Sequence, residues 1–142
     1  MALPLAIDAL RVPGPSGRVL VQVDALEVPA GSLVGVRGPS GAGKSTLLYA
    51  LAGLRAATGA VRWGDTEILG LRDEARTAFR AAHIGMIFQD FLLFEELGGL
   101  DNAALPAMFR PRRQRGALRD RAEAHLRQLG LDITARAVAS YS

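Results

Sequence analysis

Nine consecutive residues, Gly38-Pro39-Ser40-Gly41-Ala42-Gly43-Lys44-Ser45-Thr46, carry the densest chemical signal in the chain. They fit the P-loop pattern of Gly, four residues, Gly-Lys and then Ser or Thr. Each fixed position has a physical reason. Gly38, Gly41 and Gly43 permit backbone turns closed to other residues and allow close approach to a ligand. Successive N–H groups can then point into one concavity that suits phosphate oxygens. Lys44 adds a point charge for β- and γ-phosphates. Ser45 offers a hydroxyl to Mg²⁺, an ion that keeps most of its waters and takes few protein ligands. Lys44 is the only lysine among 17 Lys and Arg residues. A chain that otherwise draws its positive charge from arginine has lysine where a compact ammonium is needed.

Such a loop needs a strand before it and a helix after it. Ser32-Leu33-Val34-Gly35-Val36-Arg37 is a short apolar run and predicts a buried strand. Thr46-Leu47-Leu48-Tyr49-Ala50-Leu51-Ala52 predicts a helix whose positive N-terminal end faces the phosphates, with Gly53 as its stop. Upstream, residues 3–10 and 19–28 are strand-like around a turn at Gly14-Pro15-Ser16-Gly17. The second run alternates in part, which suits a partly exposed antiparallel strand. Downstream, residues 59–63 and 66–69 flank Gly64-Asp65 as a small hairpin, with Trp63 packed in it. Residues 72–82 favour a helix ending near His83, and Ile84-Gly85-Met86-Ile87-Phe88 is a second buried-strand candidate, followed by Gln89. Asp101 can cap a helix from Asn102 to about Phe109, which Pro106 would kink or delay. Residues 110–116 read as a basic linker. Residues 117–129 place Leu118, Ala122, Leu126 and Leu129 near one face of an amphipathic helix that Gly130 ends. Thr134 can cap a last short helix.

Composition narrows the classes. The chain has 142 residues and is 49% hydrophobic, enough to build a core. It has no cysteine, which excludes disulfides and thiolate metal sites. No apolar stretch reaches the ~18 residues of a membrane span. The start, Met1-Ala2-Leu3-Pro4-Leu5-Ala6-Ile7-Asp8, lacks the basic residues and cleavage site of a signal peptide. A net charge of +3 does not by itself argue for nucleic acid.

The P-loop together with Ile84-Gly85-Met86-Ile87-Phe88-Gln89-Asp90-Phe91-Leu92-Leu93 resembles the ATP-binding-cassette (ABC) ATPases, the second run looking like that family's Q-loop. Leu100-Asp101-Asn102-Ala103-Ala104-Leu105-Pro106 is similar to the start of the helical subdomain in the lipoprotein-releasing, macrolide-efflux and cell-division subgroup. The resemblance covers essentially the whole chain. It implies an α/β fold: a P-loop NTPase core with a small antiparallel β subdomain and the beginning of an α-helical subdomain. The expected division is residues 1–93 for the core, β subdomain and Q-loop, and 94–142 for the start of the helical subdomain. The resemblance also implies ATP and Mg²⁺ as ligands, Lys44 and Gln89 as catalytic residues, and Gln89 beside Ser45 at the metal and the attacking water. It further implies a membrane-spanning permease partner met through the Q-loop region, and a head-to-tail homodimer or pseudo-dimer in the complete protein. The expected location is cytoplasmic, peripheral on the inner face of the cell membrane, with no nucleic acid partner.

Two departures stand out. The family stacks adenine on an aromatic residue after the first strand, whereas this region is Arg11-Val12-Pro13-Gly14, leaving Val12, Pro13 or Val19 to pack against a base. The chain also stops at Ala139-Ser140-Tyr141-Ser142, where the family's signature motif would begin. Signature, Walker B and switch histidine are absent, so the chain reads as the front of a longer protein that would not sustain hydrolysis alone. Phe91-Leu92-Leu93-Phe94-Glu95-Glu96 mimics a Walker B strand, but it starts two residues after Gln89, too close for a parallel strand and its crossover. Glu95 and Glu96 are then solvated or partner-facing, and Phe91 and Phe94 are partner contacts or ordinary core. His83 and His125 lack metal-ligand spacing. The arginines from 110 to 121 read as a solvated face, with anionic lipid or nucleic acid as the sharper alternative. Two other functions compete with a transporter subunit: a soluble cassette ATPase acting on DNA or ribosomes, and a small P-loop phosphotransferase. A GTPase switch is disfavoured, because an Asn-Lys-x-Asp motif cannot exist when Lys44 is the sole lysine.

Overall fold

The computed structural model describes residues 2–90 and 92–131. They form two compact units, divided between Met86 and Ile87.

The first unit is built on a four-stranded antiparallel sheet of β1 (Leu5–Pro13), β2 (Val19–Val28), β3 (Thr58–Trp63) and β4 (Thr66–Glu67), in the order β2-β1-β3-β4. β1 is central, paired with β2 on one side and β3 on the other, and its inward residues change phase midway. Leu5 and Ile7 are buried, Asp8 and Ala9 are exposed, and Leu10 and Val12 are buried again. A regular strand cannot do this, since its side chains alternate with period two. A bulge supplies the extra residue: Asp8 pairs with Ala60 but Arg11 pairs with Thr58, and Ala9 takes a left-handed φ of 47°. Gly59 opposite is required there, because a Cβ on it would lie 2.3 Å from the Ala9 carbonyl oxygen. β2 keeps one register with β1 from Leu5 opposite Val28 to Val12 opposite Val21, and the register shifts only at Pro13, which pairs with Val19.

Two helices complete this unit, α1 (Lys44–Leu51) and α2 (Asp73–His83). Leu10, Val12, Val61 and Ile68 are fully enclosed, with Ala50 of α1 buried among them and Leu47, Phe79 and Ile84 packed alongside. Each such aliphatic side chain contributes about 1.5–3 kcal/mol through burial. Side chains tie the elements at their ends. The Glu67 carboxylate accepts from the N–H groups of Val61, Leu69 and Gly70, and Arg76 donates to the carbonyls of Leu69 and Leu71.

The second unit holds α3 (Gly99–Ala103), a 3₁₀ turn at Leu105–Phe109 and α4 (Arg112–Gln128). Asn102 organises the loop before α3. Its Oδ1 accepts from the Phe94 N–H, and its Nδ2 donates to the carbonyls of Phe94, Leu97 and Gly98. Asp101 pairs with Arg119 of α4 at 2.7 Å.

Several expectations are met and several are corrected. The second strand, the hairpin around Gly64-Asp65, α1 with Gly53 at φ 64° as its stop, and α2 form where the sequence places them, whereas the first strand runs to Pro13, so that residues 11–13 are strand and not the loop after it. Residues 32–37 and 84–88 are not strands. A strand exists by pairing, and neither segment has a partner strand among the described residues; Leu33 and Ile87 stand 101% and 93% exposed. Asp101 does not cap a helix to Phe109. α3 begins earlier, after Gly98, and Pro106, which has no N–H, falls at the start of the separate 3₁₀ turn. The basic linker is not a linker, since α4 starts at Arg112 behind Pro111 and runs through Gly116. Arginine and glutamine are good helix formers, and they outweigh the ~1 kcal/mol cost of one glycine. Leu118, Ala122 and Leu126 are half-buried, but Leu129 is the C-cap and is 74% exposed. Gly130, at φ 70°, ends the helix as expected. The helix proposed after Thr134 lies outside the described residues, as does Phe91.

Candidate phosphate-binding site

The site is a loop seated on β2 and closed by its own lysine. Gly41 and Gly43 both take left-handed φ, 78° and 86°. A Cβ on Gly43 would stand 2.6 Å from Cγ2 of Val21, so the loop's end rests directly on β2. A Cβ on Gly38 would lie 3.3 Å from the Ala42 Cβ, and the Ala42 N–H donates to the Pro39 carbonyl at 3.2 Å. Nζ of Lys44 donates to the carbonyls of Gly38 and Pro39, at 2.9 and 2.7 Å. An ammonium has three donors. Two hold the loop closed, and the third remains for an anion.

α1 starts at Lys44, with Gly43 as its N-cap and no side-chain cap or acidic residue in its first turn. The first N–H groups of a helix have no intrahelical acceptors, and the helix dipole adds partial positive charge there. The other end of α1 is fixed. Trp63 Nε1 donates to the Leu51 carbonyl at 2.8 Å, so Trp63 ties the hairpin to the helix as well as packing beside it. Glycine turns, a closed loop, one ammonium and an uncapped helix start together make a donor set that fits a polyphosphate. Ser45 is exposed at this end and Thr46 half-buried, with Pro39 and Ser40 in the exposed loop.

The remaining sequence candidates separate clearly. Gln89 lies in an exposed turn of the second unit, whereas residues 38–46 belong to the first. Glu95 and Glu96 sit in an exposed turn and not at a strand end, as expected of solvated acids. Phe94 is 52% exposed, which removes it from the core. His83 stacks against Phe79 at 4.8 Å between ring centroids, and His125 lies 3.4 Å from Gln128 Oε1. Among the described residues no three His, Asp or Glu side chains cluster as a metal site. Val12 is corrected: it is fully enclosed in the sheet core and cannot face a base, whereas Pro13 and Val19 are exposed. The seat of Gly43 on Val21 and the carboxylate of Glu67 were not legible in the sequence, because both depend on strand register.

Comparison with known proteins places this geometry. Residues 21–142 match the family described as ABC transporter. The lipoprotein-releasing system ATP-binding protein LolD of Cytophaga hutchinsonii is 45% identical over 115 residues, 80% of this chain and 52% of that protein. The uncharacterized ABC transporter ATP-binding protein YbbA of Escherichia coli is 41% identical over 107 residues, 75% of this chain and 46% of that protein. The dimeric post-hydrolysis structure of the ATP-binding cassette MJ0796 bound to ADP and Pi superposes with a TM-score of 0.81 at 28% identity, over 97% of this chain and 63% of that one. The chain thus spans about half the length of the curated relatives it matches. The fold class is α/β, that of ABC ATPase cassettes.

Proposed function

The chain belongs to the ABC transporter family of ATP-binding proteins, and on that premise we propose that it serves as an ATP-binding, energy-coupling subunit of a membrane transporter. The observation that carries the reading is Lys44 bridging two carbonyls of a glycine loop at the start of α1. In this reading the amides of residues 38–46 and the third Lys44 donor hold the β- and γ-phosphates of ATP, and charge on the transferring group is stabilised there. Mg²⁺, when bound, neutralises phosphate charge. Ser45 and Gln89 are the side chains that would hold an ion of this kind, which takes few protein ligands, and Gln89 would orient the attacking water.

The division into a core to residue 93 and a helical part from residue 94 belongs to the same proposal. So do a permease partner at the Q-loop region, a head-to-tail dimer of the complete protein and a cytoplasmic place on the inner membrane face. Supporting the permease contact, Ile87, Leu93 and Phe94 are exposed apolar side chains flanking Gln89. No described helix is long and apolar enough to cross a membrane.

The test is calorimetry of MgATP binding to the chain and to Lys44→Ala, each checked for fold by circular dichroism. Affinity should drop at least tenfold, since a charge-assisted contact and two loop-closing bonds are lost together. Equal affinity in a folded variant would remove the site.

A further inference from the structure

Trp63 is the chain's only tryptophan, and it bonds to the helix whose opposite end carries Lys44. α1 has eight residues and spans about 12 Å. A helix so short does not hold its shape alone, so tertiary anchors must fix it. At its start the anchor is the seat of Gly43 on Val21. At its end the carbonyls need partners from outside the regular ladder. The Ala52 N–H donates to the Leu48 carbonyl, the Gly53 N–H to that of Ala50 and the Leu54 N–H to that of Tyr49, at 3.1, 2.9 and 2.8 Å. The last carbonyl, that of Leu51, accepts instead from the Trp63 indole at 2.8 Å. That indole stands on a firm base, because Trp63 pairs with Leu5 of β1 on one side and Thr66 of β4 on the other. α2 covers the turn that follows the helix. Arg80 donates to the Gly53 carbonyl at 3.3 Å, and a Cβ on Gly53 would lie 2.7 Å from Cδ of Arg76.

We propose that Trp63 is a positioning residue for the phosphate site: through its bond to Leu51 it holds α1 so that Lys44 and the amides of the first turn converge on the β- and γ-phosphates. The inference rests on the nucleotide-binding reading and deepens it. With the bond made, the helix start is set before a nucleotide arrives, and binding carries little ordering cost. Without it the Leu51 carbonyl turns to water, the last turn frays and α1 shifts on its remaining anchors. Only a fraction of molecules then present aligned donors, and the apparent affinity falls by that fraction. The effect is reciprocal. If the bond strengthens nucleotide binding by some factor, nucleotide strengthens the bond by the same factor. A tie that serves stability alone has no such link to the ligand.

The experiment replaces Trp63 by benzothienylalanine, which has the shape of tryptophan with sulfur in place of the indole N–H. MgATP is titrated by calorimetry into the native chain, this analogue and Ile7→Val, each checked for fold by circular dichroism. The analogue should bind about five- to tenfold more weakly, the scale of a modest coupling between two sites. Ile7→Val shortens a core side chain and alters no hydrogen bond of α1, so it should bind within about twofold of the native chain. On the native chain, hydrogen exchange of the indole N–H, followed by NMR, should slow with saturating MgATP by the factor that the analogue loses. This last measurement needs no variant and decides the matter even where the analogue does not fold. The proposal is overturned by a folded analogue that binds like the native chain, by an equal loss in Ile7→Val, or by indole exchange that MgATP leaves unchanged. Each of these leaves the nucleotide-binding reading standing. A native chain that does not bind MgATP overturns both.

Discussion

Gly41 and Gly43 share a left-handed φ, 78° and 86°, in different surroundings, which lets backbone strain be separated from packing. A Cβ on Gly41 meets nothing within 4 Å, whereas one on Gly43 strikes the Val21 side chain at 2.6 Å. Gly41→Ala should cost about 1–2 kcal/mol, the price of left-handed backbone alone. Gly43→Ala should cost about 1–3 kcal/mol more, because the loop must lift from β2 or Val21 must move. Thermal melts of the two variants give the comparison, and equal midpoints would mean that the seat on Val21 contributes nothing. Nucleotide choice is a second matter at this scale. Arg11-Val12-Pro13-Gly14 offers no aromatic face, and Val12 is enclosed in the core. A stack worth ~1–3 kcal/mol, by analogy with bases on aromatic side chains, is then missing. Competition calorimetry should find ATP and GTP within about a hundredfold of each other. A larger preference for ATP would show that another residue reads the base. The loop residues themselves were legible because their pattern is local. Lys44's bonds to Gly38 and Pro39 follow from a closure that spans only six residues.

The elements were legible in proportion to how local their causes are. β1, β2 and the Gly64-Asp65 hairpin announce themselves by alternation and turn residues, and α1 and α2 by composition. The bulge in β1 does not, since alanine gives no sign of the left-handed φ that Ala9 adopts. Nor does the role of Asn102, whose four hydrogen bonds reach back as far as Phe94. The start of α4 was hidden by composition, because Pro111 and a run of arginines resemble a linker until Pro111 is seen as the residue before the first turn. Glu67 is the strongest instance of a non-local cause. Its carboxylate gathers three N–H groups from both sides of the hairpin, at 3.2, 2.9 and 2.6 Å. Glu67→Ala should therefore cost about 1–3 kcal/mol, with amide exchange faster at Leu69 and Gly70. Glu67→Gln keeps one acceptor oxygen and should fall between. Unchanged exchange at both amides in Glu67→Ala would show that water replaces the carboxylate without loss.

On the scale of the whole molecule, the two apolar runs expected as buried strands are the informative failure. Residues 32–37 and 84–88 have strand composition, yet Leu33 and Ile87 are almost wholly exposed. Apolar content is set locally, whereas pairing needs a neighbour from elsewhere in a chain. Exposed runs of this kind seek a partner, and unpaired they invite association. The same division applies to catalysis. In the proposed reading Lys44 serves phosphate charge and Gln89 a water, whereas Glu95 and Glu96 lie in an exposed turn and not at the end of a strand. Phosphoryl transfer depends on many groups positioned together, so lacking several is far worse than lacking one. The 142-residue chain should therefore bind MgATP without steady turnover. Fusing it to the remaining length of the Cytophaga hutchinsonii relative should bring multiple turnovers and slow amide exchange in residues 32–37 and 84–88, both by at least tenfold. Phosphate release and exchange, measured side by side on the two chains, provide the check. Sustained hydrolysis by the short chain, abolished in Glu96→Gln, would instead make Glu96 the catalytic base and residues 91–96 a true Walker B strand.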